Sequence, residues 1–243
     1  RSTLFPYTTL FRSRDWKDTL AEPLAWTSAY QLAVPEKYDP AKLEYNCWAH
    51  DVIYNEAMGK YCLYGAVSVW GATSSAIWLC VSDNVKGPYE YVDTFIYTGI
   101  TNPELERRNN ETNHIVDEDG SLHQDSVIKA LDYRNTNIPE LIDAGYINKN
   151  FLNLTRDDRP YKWFSFWGSY LCGAGEFPNA IDPTVYTDKN GDMWLVYGSF
   201  SGGCFVQKLN NQTGLPDYAY MKAHEKDGYD VYYGKRVSNT NAG

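Results

Sequence analysis

Aspartate 182 is the residue of this sequence best placed to do chemistry. It stands in the stretch Asn179-Ala-Ile-Asp-Pro-Thr-Val-Tyr, at the head of a short apolar segment. Pro183 has no backbone N–H and is therefore expected at the start of a strand, not inside one. The Asp182 carboxylate would then lie at a strand entrance, where it can point into a cleft and take part in acid–base chemistry. The alternative is that the Asp-Pro pair only caps a turn.

The elements that hold Asp182 follow it directly in the chain. The pattern predicts a strand from Thr184 to Thr187, a tight Asp188-Lys-Asn-Gly turn, and a second strand from Met193 to Ser199. Asn and Gly tolerate the positive φ that a hairpin turn requires, so this prediction has a physical basis.

An earlier segment, residues 46–98, repeats this pattern. It reads as four short strands separated by turn signals, which is typical of a β-propeller blade. The matched positions are Asp51 with Asp182, Gly59 with Gly191, Tyr64 and Gly65 with Tyr197 and Gly198, and residues 76–79 with 204–207. The repeat therefore predicts two similar structural units.

The composition narrows the class of partner. Aromatic residues make up 16% of the 243 positions, with 21 Tyr and 8 Trp. Tyr and Trp fit half-buried sheet surfaces and can stack on sugar rings. The formal charge of -9 argues against nucleic acid or an anionic membrane as a partner, because both are bound through basic surfaces. A neutral polysaccharide is compatible with this acidic chain.

Residues 179–209, with weaker continuity over 45–98, resemble the family 43 glycoside hydrolases and most closely the endo-α-1,5-L-arabinanases. The resemblance is carried by Asn-Ala-Ile-Asp-Pro, the Asp-x-Asn-Gly turn, Trp-Leu-Val-Tyr-Gly-Ser-Phe and Gly-Gly. It implies an all-β fold, a five-bladed β-propeller of which this chain would hold about three blades. It also implies a glycosidase that cleaves α-1,5-L-arabinan with inversion.

The resemblance implies roles for individual residues. Asp182 matches the acidic residue that raises the pKa of the general acid and orients it, and like-charge repulsion explains such a shift. Substrate contacts are implied for Asn179, Ala180, Ile181, Ser199, Phe200 and Ser201, and for Trp48 and Asp51 in the first unit. The family commonly has Trp where this chain has Ser201, so one aromatic wall is expected to be missing. His50 replaces the Pro of the family's Trp-Ala-Pro-Asp motif.

The family's other two acidic residues have no match in this chain. The general base is expected upstream of residue 14, and the general acid is a Glu expected after Gly243. Glu176 is an in-chain alternative for the acid, although a solvated turn residue is the other interpretation. We therefore expect the 243-residue chain to be inactive on arabinan.

The family often holds a calcium ion on the propeller axis through a His from a late blade. None of the four histidines matches that position: His50, His114, His123 and His224. No metal ligand is assigned in this chain. Calcium remains an expectation for the full-length protein, and no other cofactor is expected.

The rest of the chain divides into parts of different character. Residues 1–13 are expected to be non-native, since residues 3–13 resemble the conceptual translation of a sequencing adaptor. Residues 14–243 are expected to form one partial propeller domain, with blade-like units at about 46–98 and 179–221 and an insertion at 99–178. Residues 229–243 are expected to enter a further unit.

Two features stand out within the insertion. Residues 138–146 are expected to form a short helix ended by Gly145. Trp163, Phe166 and Trp167 belong to a dense aromatic run. They are either sugar platforms or the core of an irregular insertion.

The five cysteines show no metal-binding spacing. Cys62, Cys80 and Cys204 lie in apolar strand runs, which favours buried thiols, with one disulfide as the alternative. No apolar run approaches the about 20 residues that a membrane-spanning helix needs. The resemblance implies an extracellular or periplasmic protein.

Two other functions remain open at the level of sequence. The same motifs occur in α-L-arabinofuranosidases and β-xylosidases of the family, which act on arabinose- or xylose-containing polysaccharides. A non-catalytic carbohydrate-binding propeller would show the same aromatics and repeats. An Asp on the first blade's inner strand and a Glu past Gly243 would favour an enzyme.

Overall fold

The computed structural model describes residues 47–68, 75–98, 100–101, 131–148, 178–199 and 202–238. These residues form two four-stranded antiparallel sheets, a two-stranded parallel pair and a few short helices. The expected all-β class is confirmed. Residues 1–13, the aromatic run around Trp163, Phe166 and Trp167, and Glu176 lie outside the described residues.

The first sheet is a meander of four consecutive strands. Its strands are β1 (Cys47–Asn55), β2 (Lys60–Ser68), β3 (Ser75–Ser82) and β4 (Glu90–Thr98), hydrogen-bonded in that order. The β1–β2 turn forms because Asn55 accepts hydrogen bonds from the backbone N–H groups of Ala57 and Met58. β3 is buried along nearly its whole length, so both faces of this sheet are covered at its centre.

The second sheet contains β7 (Thr184–Thr187), β8 (Met193–Ser199), β9 (Gly203–Lys208) and β10 (Lys235–Arg236). The hydrogen-bonded order is β7-β8-β9-β10. The predicted bounds of β7 and β8 are confirmed. Asp188 closes the hairpin, since its Oδ1 accepts hydrogen bonds from the N–H groups of Asn190 and Asp192, while Gly191 has φ +84°.

The fourth strand of the second sheet comes from farther along the chain than expected. Helix α2 (Tyr218–Ala223) and a 3-10 turn (Glu225–Asp227) separate it from β9. β10 pairs with β9, so the prediction that residues 229–243 enter a further unit is wrong for this strand. A two-residue strand after an intervening helix gives little signal of which sheet it joins.

The described part of the insertion is small. β5 (Ile100–Thr101) and β6 (Leu131–Asp132) pair in parallel. A 3-10 turn (Tyr133–Asn135) and helix α1 (Ile138–Asp143) follow. Gly145 has φ +75° just after α1, which confirms the predicted short helix with a glycine at its end.

Large aromatic side chains fill the interior. Tyr64 and Tyr197, predicted as equivalent positions in the two units, are both fully buried. The Tyr64 hydroxyl donates to the Gly214 carbonyl at 2.7 Å, and the Tyr197 hydroxyl donates to the Tyr233 carbonyl at 2.8 Å. Each sheet thus anchors a later loop through the same kind of buried hydrogen bond. Cys62, Cys80 and Cys204 are free thiols, as predicted.

The two sheets meet along their first strands. β1 and β7 are each an edge of their own sheet and lie side by side. Asp51 links them, since its Oδ2 accepts a hydrogen bond of 2.8 Å from the Val185 N–H. The first strands of consecutive four-stranded units are therefore neighbours, as blades around a shared axis require.

Candidate active site

Asp182 lies at the head of β7 in an unusual backbone conformation. Its φ is +52°, and its side chain is exposed. Pro183 follows it and immediately precedes the strand. A positive φ is uncommon outside glycine, although Asp is among the residues that adopt it most readily. The structure therefore places Asp182 at the strand entrance that the sequence predicts.

The segment before Asp182 is bound to the first sheet. The Ser75 hydroxyl donates a short hydrogen bond to Asn179 Oδ1. The Ala180 N–H donates to Thr98 Oγ1 at 3.1 Å. Ala180 is fully buried, so its part in a site is to fix the backbone. The predicted residues Asn179 and Ala180 are thus brought next to Asp182 by contacts with β3 and β4.

The second sheet closes the other side of this segment. The Gly198 N–H donates to the Ile181 carbonyl at 2.8 Å, and the Ile181 side chain is buried. Gly198 has φ +92°, and a Cβ there would come within 2.5 Å of the Gly203 carbonyl oxygen. Only glycine fits so tight an approach at the β8–β9 turn. Ser199 is the last residue of β8, and Phe200 and Ser201 lie outside the described residues.

The first unit contributes Trp48 and Asp51 on β1. The backbone of Trp48 pairs with that of Ala66, and the backbone of Asp51 pairs with that of Tyr64. The strand register shifts between these two pairs. The Asp51 carboxylate accepts hydrogen bonds from the N–H groups of Val52, at 3.0 Å, and Val185, at 2.8 Å. Its oxygens are therefore engaged with the backbone of both sheets.

Asp51 and Asp182 differ in their place relative to the paired residues. Asp51 lies within the paired part of β1, opposite Tyr64, whereas the pairing of β7 with β8 begins at Thr184, opposite Val196, so that Asp182 precedes it. Both inner strands begin with an irregular backbone, which motif spacing does not reveal.

His50 packs behind the site in a half-buried position. Its ring lies edge-on to Trp78, with ring centroids 5.2 Å apart. Burial lowers the pKa of His50 to about 4, because desolvation disfavours the charged imidazolium. His50 is therefore neutral at physiological pH and forms part of the apolar support of β1.

Motif reasoning missed Ser75 and Thr98. Both side chains are buried, and both hold the segment that carries Asp182. Hydroxyl residues inside a strand have no characteristic spacing, so no sequence signal distinguishes them from ordinary strand residues.

Within the described ranges, no group of three or more His, Cys, Asp or Glu side chains could hold a metal ion. No helix in the described part of the chain is long and apolar enough to cross a membrane.

Comparisons with known proteins give matches to arabinan-degrading enzymes. The chain is 27% identical over 176 residues to an extracellular endo-α-(1→5)-L-arabinanase of Thermotoga petrophila, covering 72% of this chain and 25% of that protein. It is 45% identical over 38 residues to an extracellular exo-α-(1→5)-L-arabinofuranosidase of Cellvibrio japonicus, covering 16% of this chain and 11% of that protein.

A solved endo-1,5-α-L-arabinanase of Thermotoga petrophila RKU-1 aligns with 92% of this chain and 31% of its own, at 25% identity and a TM-score of 0.48. No family model matches the chain. The chain spans about a quarter of the length of the curated endo-arabinanases that it matches. The resemblance of this chain to the family 43 arabinanases, which are glycosidases, is confirmed by the two curated matches.

Proposed function

We propose that this chain is part of a five-bladed propeller glycosidase that cleaves α-1,5-L-arabinan with inversion of configuration. The observation that carries the proposal is the match to extracellular endo-arabinanases along 72% of the chain. The exposed carboxylate of Asp182, at the head of an inner strand, supports it. The acidic composition is compatible with a neutral polysaccharide substrate in an extracellular setting.

In this proposal Asp182 acts on the general acid, not on the sugar. An inverting glycosidase uses one carboxylic acid to protonate the leaving oxygen and one carboxylate to activate water, about 6.5–9.5 Å apart. A third carboxylate near the acid disfavours ionisation of that acid and raises its pKa, so that it stays protonated near neutral pH. Asp182 is suited to this role because it is exposed and its backbone is fixed on both sides.

The proposed sugar subsites lie around this strand entrance. Asn179 and the β8–β9 turn flank Asp182, and Ser199, Phe200, Ser201 and Trp48 are proposed to complete the wall. Ala180 and Ile181 are buried. Their contribution to the subsite is to set the shape of the backbone.

Binding to a polysaccharide panel tests the substrate assignment on the 243-residue chain. Affinity electrophoresis in linear arabinan should retard the chain, whereas cellulose should not. Because only Asp182 of the family's three acidic residues has a match here, we expect no release of reducing ends. Absence of arabinan binding would contradict the substrate, and turnover would contradict the assignment of base and acid to residues outside this chain.

The full-length protein separates catalysis from simple binding. Asp182→Ala should lower arabinan hydrolysis on the order of 10²- to 10⁴-fold, far more than it weakens arabinan binding. Asp83→Ala, which removes an exposed carboxylate paired with Lys60 at 2.5 Å, is the matched control and should retain full activity. Unchanged hydrolysis in Asp182→Ala would overturn its role, and no hydrolysis in the parent protein would indicate a non-catalytic carbohydrate-binding propeller.

An exo-acting enzyme is the second candidate. The 38-residue match at 45% identity to an exo-arabinofuranosidase favours it. Product analysis distinguishes the two, because internal cleavage yields mixed oligosaccharides and exo action yields short products of one size. A β-xylosidase of the same family would instead act on xylose-containing chains.

A further inference from the structure

We propose that Asp51, Ser75 and Thr98 are positioning residues for Asp182, so that the first sheet sets the geometry of an acidic residue carried by the second. The inference rests on the proposed function, in which Asp182 takes part in glycoside hydrolysis. It assigns Asp51 a positioning role in place of the sugar contact expected from the sequence.

The anchor upstream of Asp182 is a pair of buried hydroxyls. Ser75 and Thr98 are 1% and 2% exposed. Ser75 donates to Asn179 Oδ1, and Thr98 Oγ1 accepts from the Ala180 N–H at 3.1 Å. Thr98 Oγ1 also lies 3.5 Å from the Ser75 carbonyl oxygen, so the two hydroxyl residues are joined across the β3–β4 pair. Buried polar groups of this kind are costly to leave unpaired, which holds the segment in place.

The anchor downstream of Asp182 is the Asp51 carboxylate. β7 is an edge strand, so N–H groups on its outer side need partners from outside its own sheet. Asp51 Oδ2 accepts the Val185 N–H at 2.8 Å, and Oδ1 accepts the Val52 N–H at 3.0 Å. A hydrogen bond to an ionised carboxylate is stronger than one between neutral groups. Asp51 therefore fixes β7 against β1.

Asp182 lies between these two anchors in a left-handed conformation. A non-glycine residue keeps such a backbone only when its surroundings over-determine it. Contacts from β1, β3 and β4 flank it, while the Gly198 N–H bonds the Ile181 carbonyl from β8. The backbone of Asp182 is thus held by strands of both sheets.

The test compares Asp51→Ala with Asn55→Ala in the 243-residue chain. Asn55 lies on the same strand and also joins the two sheets, through a 2.8 Å bond to the Asn211 carbonyl, but at the far end of β1. Amide NMR and hydrogen exchange report on Val185 and Asp182, and calorimetry reports binding of linear α-1,5-arabinohexaose. Asp51→Asn, which keeps an acceptor oxygen, serves as the conservative variant.

We expect Asp51→Ala to increase Val185 amide exchange and to shift the Asp182 resonances. It should also weaken arabinohexaose binding about tenfold, because the strand entrance is no longer held in the geometry that binds the sugar. Asp51→Asn should restore most of the Val185 amide protection, of the Asp182 resonance positions and of the binding affinity. Asn55→Ala should lower the melting temperature yet leave Asp182 and binding unchanged. Ser75→Ala combined with Thr98→Val should shift Asp182 in the same way, a second route if Asp51→Ala does not fold.

Unchanged Asp182 resonances in both the Asp51→Ala and the Ser75→Ala/Thr98→Val variants would overturn the proposal. Equal perturbation of Asp182 by Asn55→Ala would also overturn it, since the effect would then reflect general destabilisation. Absence of arabinohexaose binding by the parent chain would count against the proposed function alone, because the NMR readouts still decide whether Asp51 positions Asp182.

Discussion

At the scale of the residue, Asp182 combines an exposed carboxylate with a φ of +52°. The left-handed conformation costs about 1–2 kcal/mol for a residue with a Cβ. Strain of this kind at an exposed acid, held by hydrogen bonds on either side, is what a site under functional constraint would show. Replacing Asp182 by glycine should therefore raise stability while it weakens binding.

Asp182→Gly should raise the free energy of unfolding by up to about 1 kcal/mol, because glycine adopts a positive φ without strain. The greater conformational entropy of glycine in the unfolded chain offsets only part of this stabilisation. Asp182→Ala should instead lower the free energy of unfolding, because Ala keeps the Cβ but lacks the short polar side chain that lets Asp adopt this conformation more readily. Urea denaturation measures both, and both variants should lose affinity for arabino-oligosaccharides. A Gly variant less stable than the Ala variant would contradict the strain argument.

The lowered pKa of His50 predicts that the stability of the folded chain depends on pH. Its folded-state pKa of about 4 lies below the ordinary value of 6.5, so the unfolded chain binds a proton between these limits while the folded chain does not. Stability should fall as pH decreases from about 6.5 to about 4. Each unit of pKa difference corresponds to about 1.4 kcal/mol.

Urea midpoints measured from pH 4 to pH 7 check this contribution. His50→Phe should flatten the dependence, because Phe keeps an aromatic ring against Trp78 without a titrating group. His224→Phe makes the same chemical change in the segment between β9 and β10, and this control variant should keep the pH dependence of stability. A profile that His50→Phe leaves unaltered would show that other groups cause the acid sensitivity.

At the scale of the element, the first sheet depends on close packing between neighbouring strands. Trp78 on β3 is fully buried and lies over Gly65 on β2. A Cβ at Gly65 would come within 2.2 Å of the indole ring, far inside contact distance. A glycine is needed here because of the neighbouring ring, not because of its own backbone angles.

Gly65→Ala should therefore destabilise the chain by about 1–3 kcal/mol, the usual range for overpacking a core. In a Trp78→Phe background the same change should cost much less, because the smaller ring leaves room for the methyl group. A double-mutant cycle by chemical denaturation measures the coupling. Additive effects would mean that the indole does not fix the requirement for glycine.

The sequence predicted the local parts of these elements well. The β7–β8 hairpin follows from the Asp188-Lys-Asn-Gly turn and an adjoining apolar strand, so its bounds are correct. The Asp51–Val185 bond joins residues 134 positions apart, and no local pattern encodes it. The fourth strand of the second sheet escaped prediction for the same reason, since β10 reaches β9 only after a helix.

At the scale of the whole molecule, buried polar groups join the two sheets and α1. Asn137 Nδ2 donates to the Phe95 carbonyl at 3.0 Å, and its Oδ1 accepts from the Tyr232 hydroxyl at 2.9 Å. The same Tyr232 hydroxyl accepts from the Tyr97 N–H at 3.0 Å. Because every partner of such a network must be satisfied, it fixes one arrangement of the two sheets. Asp182 therefore belongs to a scaffold built by both.

The central claim is that an arabinan chain binds at the strand entrance marked by Asp182. Titration of the 243-residue chain with linear α-1,5-arabinohexaose, followed by amide NMR, tests it directly. The predicted result is a set of shifted resonances concentrated at residues 179–182 and at Gly198 and Gly203. Shifts confined to the opposite end of the second sheet, around the Asp188–Gly191 turn, or no shifts at all, would contradict it.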